Sequence, residues 1–352
     1  MVQPFDSGFI SRNAKCLMWL VHTSLSHYSC RMTDFTFIPL SDVRLRAVVK
    51  GKGPLVVMVH GFPESWFSWR HQIDPIAEAG FTACAIDVRG YGGSDKPPRI
   101  ADYSMERMIS DVVGVIEALS PERRGILIGH DWGAPIVWNS ALVWPDRVRA
   151  VAGLSVPYLG PPTQPFTEVF DEIFTKRGRF FYQAYFQKAG EPEAEAAADP
   201  RGFLRKFYYA LSGDAPDGTW PTNKTSAQRL LDGLVDPEPF PAWLTPSDLD
   251  YYVGEFERSG FRGPINRYRN HERDFVYLRA FANRKIEQPA FFIGGKRDLA
   301  FNMLGRNDPI AIMRQFVTDL RGADVLDGCG HWTQQERPAE VNSRLTAWLK
   351  SL

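Results

Sequence analysis

The sequence predicts an α/β fold: a largely parallel sheet covered by helices on both sides and interrupted by a helical insert. Three observations carry this reading. Short, continuous apolar runs of the kind buried on both faces recur at Leu55–Val59, Phe81–Ile86 and Ile126–Ile128. Segments with helical apolar spacing separate them, the alternation expected of parallel strands joined by crossovers. From about Pro161 to Asn270 the strand pattern stops, leaving helical patterns and proline-rich loops (Pro237, Pro239, Pro241).

Taken in order, Phe35 to Val49 reads as two strands joined near Ser41-Asp42, the second alternating Val43, Leu45, Ala47 and Val49. The Leu55–Val59 strand ends in His60-Gly61-Phe62-Pro63. The next strand runs into Asp87–Ser94, whose glycines superficially match a phosphate loop but lack the Lys-Ser/Thr ending; a structural turn is expected there. Ser104 stands where it can cap a helix with Met108, Ile109, Val112, Val113, Ile116 and Leu119 on one face. The Ile126–Ile128 strand leads to a helix bounded by Trp144-Pro145-Asp146, then to a strand at Val148–Val156. Within the insert, Thr245 caps a helix with Pro246 in its first turn. Leu249, Tyr252, Val253 and Phe256 share a face of it, and Ser259-Gly260 ends it. Strands return at Ala290–Ile293 and near Val325-Leu326, and a last helix buries Val341, Leu345, Trp348 and Leu349.

This organisation divides the chain into an N-terminal extension (1–31), the first part of an α/β core (32–157), a helical lid (158–270) and the second part of the core (271–352). The lid leaves the core after the strand at 148–156, so it can fold back over the carboxyl edge of the sheet, where ligands bind in such folds. The extension has no clear periodicity, and its apolar part, Leu17 to Val21, is too short for a membrane span or a signal peptide. Met32 reads as a natural start leading straight into a strand.

Composition narrows the function. Lys plus Arg (41) equals Asp plus Glu (41), so the chain carries no electrostatic footprint for nucleic acid or an anionic membrane. Cys16, Cys30, Cys84 and Cys329 form no Cys-x-x-Cys pair, and the histidines show no metal-type spacing. The expectations are a reducing, cytoplasmic compartment, no metal and no organic cofactor. Many aromatic residues fall between 160 and 270, a concentration that suits an apolar pocket.

The chemistry centres on Gly129-His130-Asp131-Trp132-Gly133, between a strand and a helix. A strand, a tight turn with one reactive side chain, and a helix make a nucleophile elbow, here with aspartate in place of the more usual serine. A serine that attacked an alkyl carbon would become an ether, which water does not readily cleave. A carboxylate becomes an ester, which can be hydrolysed at its own carbonyl. Asp131 therefore points to substitution at sp3 carbon; the plainer alternative is an aspartate capping the following helix. Asp298 and His331, each just past a predicted strand, follow in the order nucleophile, acid, histidine. His331 would deprotonate water and Asp298 would orient it, with Asp324 and Asp327 as competitors for that acid role. The backbone N–H groups of Phe62 and Trp132 are the expected oxyanion donors, while His60 and Pro63 shape the turn.

These residues carry a resemblance. His60-Gly61-Phe62-Pro63-Glu64-Ser65-Trp66, the 129–133 elbow and Gly328-Cys329-Gly330-His331-Trp332-Thr333-Gln334 resemble the soluble epoxide hydrolases of the α/β-hydrolase superfamily, from about Thr33 to the C-terminus. The resemblance implies the α/β-hydrolase fold with an inserted all-helical cap. It also implies two cap tyrosines that protonate the epoxide oxygen. Tyr182, in Phe181–Gln187, and Tyr268, in Gly260–Asn270, match those positions, with Tyr185 left for packing. The implied substrates are a small apolar epoxide and water, the product a vicinal diol and the intermediate a hydroxyalkyl ester on Asp131. A homodimer is an open option. One rival is a haloalkane dehalogenase, which shares the aspartate nucleophile; Phe62 occupies the place where such enzymes often carry an asparagine. The other is a non-catalytic ligand receptor on the same fold, a reading that sits poorly with an intact Asp131, Asp298 and His331 set.

Overall fold

The computed structural model describes residues 34–302 and 308–352, so Cys16, Cys30, Met32 and the extension read at 1–31 lie outside the described residues. Residues 34–352 form one compact unit. Its sheet has eight strands: β1 (Thr36–Pro39), β2 (Arg44–Lys50), β3 (Leu55–Val59), β4 (Thr82–Ile86), β5 (Gly125–His130), β6 (Val148–Leu154), β7 (Ala290–Gly295) and β8 (Leu320–Leu326). Their spatial order is β1-β2-β4-β3-β5-β6-β7-β8. The β1–β2 and β2–β4 pairs are antiparallel and every other pair is parallel. The chain steps outward from β3 to β4, then returns to lay β5 on the other side of β3. That reversal is the point where an open α/β sheet leaves a crevice at its carboxyl edge. Val59 pairs with Gly129, so the turn at His60 and the elbow at Asp131 leave the sheet side by side.

The strands' period of two sorts the apolar residues onto two faces. Val57, Val59, Leu127 and Val151 pack with Ile109, Val112 and Ile116 of α2 (Met105–Leu119) and with Val137 and Trp138 of α3 (Gly133–Val143). Val56, Met58, Ile126, Ile128 and Phe291 face Ile73 and Ile76, on the helix Ile73–Glu78, designated α1. The same face receives Val341, Leu345 and Trp348 from the C-terminal helix, Pro338–Lys350. Each such side chain, removed from water, contributes about 1.5–3 kcal/mol.

Between β6 and β7 the chain forms α4 (Phe166–Ile173), α5 (Tyr182–Tyr185), α6 (Glu191–Ala198), α7 (Pro200–Ala210), α8 (Pro246–Ser259), α9 (Arg262–Asn266) and α10 (His271–Leu278). The helical run therefore continues past residue 270 into α10. In α8 the Thr245 side chain accepts from Asp248 N, and Asp248 accepts from Thr245 N, a reciprocal cap that starts the helix where its sequence signature lies. Gly260, at φ 68°, ends it. Shorter helices α11 (Leu299–Asn302), α12 (Pro309–Phe316) and α13 (Thr333–Glu336) precede the C-terminal helix, α14.

Ser104 holds the N-cap position of α2, but its side chain makes no capping bond. The acceptor comes from α10: Met105 N donates to Asp274 Oδ1 at 2.7 Å. The local pattern located the helix start, and a residue far along the chain supplies the cap. Other bonds also tie insert to core. Arg46 lies between Asp87 of the core and Glu255 of α8, 2.7 Å from the latter. Tyr208 of α7 donates to Pro63 O at 2.6 Å. Among the described residues, no helix is long and apolar enough to cross a membrane.

Candidate active site

Asp131 has φ 50°, a left-handed conformation unusual for any residue but glycine and worth about 1–3 kcal/mol of strain. Its neighbours make the turn feasible. A Cβ on Gly129 would strike the carbonyl of Gly133, and a Cβ on Gly133 would strike that of Val59. Both glycines are therefore required by close approach. Helix α3 starts with no side-chain cap. The Asp131 carboxylate is not spent on capping; it is aimed across the carboxyl edge of the sheet.

There Asp131 Oδ1 accepts from Phe62 N at 2.7 Å, and Oδ2 lies 3.2 Å from His331 Nε2. His331 Nδ1 lies 3.0 and 3.1 Å from the two oxygens of Asp298. Asp298 follows β7 and His331 follows β8, so the ends of β5, β7 and β8 bring their side chains together across the intervening β6. Asp298 is fully buried and also accepts from Ala300 N. The competitors are engaged elsewhere, Asp324 with Arg344 at 3.0 Å and Asp327 with Lys296 at the surface. Burial by itself would lower the His331 pKa, but Asp298 and Asp131 outweigh it and hold the imidazole proton well above its ordinary range. Burial would likewise raise Asp131. His331, His130 and the Phe62 amide reverse that and hold the carboxyl below its ordinary value.

Sequence reasoning gave no role to a buried pair directly behind this site. His130 Nδ1 lies 2.8 Å from Glu64 Oε2, and His130 Nε2 lies 2.7 Å from the His331 carbonyl. The two ring nitrogens thus face oxygens on opposite sides, the Glu64 carboxylate and the His331 carbonyl. Glu64 also accepts from Gly61 N, Gln334 and Gln335. Burial would raise its pKa, but His130 dominates the remaining influences and holds the carboxyl below its ordinary value. The His60–Pro63 turn and the histidine loop thus hang from one carboxylate. The available signal was an ionisable residue in each of two otherwise buried segments, Glu64 in the turn after β3 and His130 in the elbow. His60 shapes the turn as expected: its Nδ1 donates to Gly61 O and its Nε2 accepts from Val88 N.

Above the carboxylate lies a cavity of about 240 Å³ lined chiefly by aromatic side chains, with Asp131 and His331 at its floor and Tyr182 and Tyr268 in its wall. The two phenol rings are edge-to-face, 5.8 Å apart. Gln183 Nε2 donates to the Tyr182 oxygen at 2.9 Å. Burial, with the Asp131 charge added, pushes both phenols above their ordinary values, so they stay protonated. Tyr185 does not line the cavity and packs against Phe180 and Phe186. The ring of Phe62 meets Phe186, Phe203, Phe207 and Tyr268 of the insert edge-on, while its amide holds Asp131.

A sheet of this order, a strained elbow after its fifth strand and an acid–histidine pair after its seventh and eighth strands define an α/β-hydrolase, and residues 54–338 match the alpha/beta hydrolase fold family. Epoxide hydrolase A of Mycobacterium tuberculosis is 41% identical, the alignment covering 90% of this chain and 97% of that protein. The structure of an epoxide hydrolase from an endophytic Streptomyces superposes with a TM-score of 0.85 at 44% identity, covering 90% of this chain and 95% of that one. Epoxide hydrolase A from Mycobacterium thermoresistibile gives 0.84 at 40% identity, covering 90% and 98%. The chain belongs to the epoxide hydrolases of the α/β-hydrolase fold.

Proposed function

We propose that this enzyme converts a small apolar epoxide and water to a vicinal diol through a covalent ester on Asp131. One observation carries the reading: a carboxylate held by an amide and an imidazole faces an aromatic-lined cavity with two protonated phenols in its wall. Asp131 attacks one ring carbon, the carbon–oxygen bond breaks, and Tyr182 and Tyr268 hydrogen-bond the departing oxygen, one of them giving it a proton. His331, oriented by Asp298, then takes a proton from water, which adds to the Asp131 carbonyl. The Phe62 and Trp132 amides stabilise the resulting oxyanion. Collapse releases the diol. Of the two protons from the attacking water, one is held by His331 and one is left on the new Asp131 carboxyl. One goes to the departing alkoxide and the other to the phenolate, which restores Asp131 as a carboxylate.

Residues 158–270 act as the cap that encloses the substrate between the two parts of the core, 32–157 and 271–352. The dehalogenase reading is weaker because Phe62 stands where such enzymes often carry an asparagine to hold the halide, and a halide needs no pair of phenols. The receptor reading leaves the converged Asp131, His331 and Asp298 without a purpose. Buried free thiols at Cys84 and Cys329 fit a cytoplasmic setting. Light scattering on the purified chain distinguishes a monomer from the homodimer.

The test is intact mass on His331→Gln after exposure to styrene oxide and, separately, to a primary haloalkane. A gain equal to the whole epoxide, mapped to the peptide bearing Asp131, is expected. A gain from the haloalkane alone, equal to its alkyl part, would make the enzyme a dehalogenase, and steady turnover by His331→Gln would sink the two-step scheme.

A further inference from the structure

We infer that the buried Arg267–Asp274 pair is a positioning device that sets Tyr268 and Trp132 for ring opening. Arg267 precedes Tyr268 in the chain and is 2% exposed. Its Nη1 donates to Tyr103 O at 2.8 Å, and its Nη2 bonds Asp274 Oδ2. Its Nε finds no oxygen acceptor among the described residues. The guanidinium carbon stands 4.4 Å from the centroid of the Trp132 ring, so the indole face is the remaining partner. That indole meets the Tyr268 ring edge-on at 5.2 Å. Asp274 in turn takes the Met105 amide at the start of α2, which packs on the sheet.

The result is a strut of charged and aromatic groups running from a core helix through Asp274 and Arg267 to Trp132 and Tyr268. Its two ends differ in kind. One is a helix N-terminus, a rigid anchor; the other is a phenol that must aim its proton at an oxygen developing charge. A cap helix alone could rock by several tenths of an ångström, and a misplacement of that order is costly in proton transfer. Arg267 suits the task because its planar fork satisfies a carboxylate and a carbonyl while its face stacks on the indole, which a lysine cannot do simultaneously. Neither residue lines the cavity, so the pair acts through Tyr268 and Trp132 and touches no substrate.

The inference rests on Tyr268 being an acid for ring opening, and the experiment separates the two ideas. Adduct formation from styrene oxide is timed by quenched flow and intact mass in the His331→Gln enzyme, and ester decay is timed with His331 intact. Arg267→Leu should slow adduct formation about 10- to 100-fold and leave ester decay within about threefold, with Arg267→Lys recovering part of the loss. In a Tyr268→Phe background Arg267→Leu should add little, since both changes remove the same contribution. Equal slowing of both steps, full additivity with Tyr268→Phe, or a lysine variant no better than leucine would overturn the inference. If Tyr268→Phe itself leaves adduct formation unchanged, the acid role fails and the strut fails with it. Should Arg267→Leu not fold by circular dichroism, Asp274→Asn replaces it, keeping an acceptor for Met105 N while removing the charge.

Discussion

His331 Nε2 lies 3.2 Å from Oδ2 of Asp131, so the proposed base rests against the proposed nucleophile before any substrate arrives. In the free enzyme Asp298 and Asp131 together hold the imidazole proton above its ordinary range. Esterification cancels the Asp131 charge and leaves Asp298 alone, so the proton affinity of His331 falls once the intermediate has formed. A base must be neutral to act; ester hydrolysis therefore speeds up as pH rises through that lowered value and stalls as pH falls. Ring opening needs ionised Asp131, whose pKa is depressed, and it persists well into acid. Lowering the pH from about 8 to about 5 should raise the steady-state fraction of enzyme carrying the ester, read by acid quench and intact mass. A fraction that falls on acidification would contradict this.

The Phe62 amide occupies Oδ1 of Asp131 and leaves Oδ2 to attack. In the proposed mechanism water then enters at the carboxyl carbon, and the diol departs with the old Oδ2. A single turnover in ¹⁸O-water, with enzyme in excess, should give unlabelled diol and a gain of about 2 Da in the peptide holding Asp131. Label in the diol from the first turnover would mean that water attacks the epoxide directly.

Gly61 has no room for a side chain: a Cβ there would fall on the carboxylate of Asp131. Gly61→Ala should displace that carboxylate from the Phe62 amide and slow adduct formation on the order of 10²-fold, at a stability cost of about 1–3 kcal/mol. Adduct timing in the His331→Gln enzyme and urea unfolding check the two parts separately.

Arg46 is the shared cation of Asp87 and Glu255, with its side chain 9% exposed. Arg46→Met leaves the buried Asp87 without its cation and Glu255 with Arg258 alone, and should cost about 3–5 kcal/mol in urea unfolding. Adding Asp87→Asn and Glu255→Gln should recover much of the loss.

Strand positions were legible because sheet burial writes itself into short sequence windows; β3, predicted at Leu55–Val59, forms over the same residues. Asp131, Asp298 and His331 were legible for a related reason, since a reactive side chain just past an apolar run has few other uses. Tyr182 and Tyr268 reach the cavity, yet spacing could not separate them from Tyr185, because a packed ring and a pocket-lining ring obey the same helical periodicity. The Glu64–His130 contact depends on closing a separation of 66 residues, and the Asp274 cap on one of 169. Local patterns name the position that needs a partner. Only the assembled sheet and insert decide which distant residue arrives.

Phe62 is grafted into two bodies at once, its amide into the chemistry and its ring among Phe186, Phe203, Phe207 and Tyr268. Substrate preference and catalytic power are consequently not separate dials in this enzyme. Recontouring the lid at Phe186, Phe203 or Phe207 to admit a bulkier epoxide would tilt the same residue that steadies the nucleophile. Variant libraries aimed at those rings would do well to vary position 62 with them.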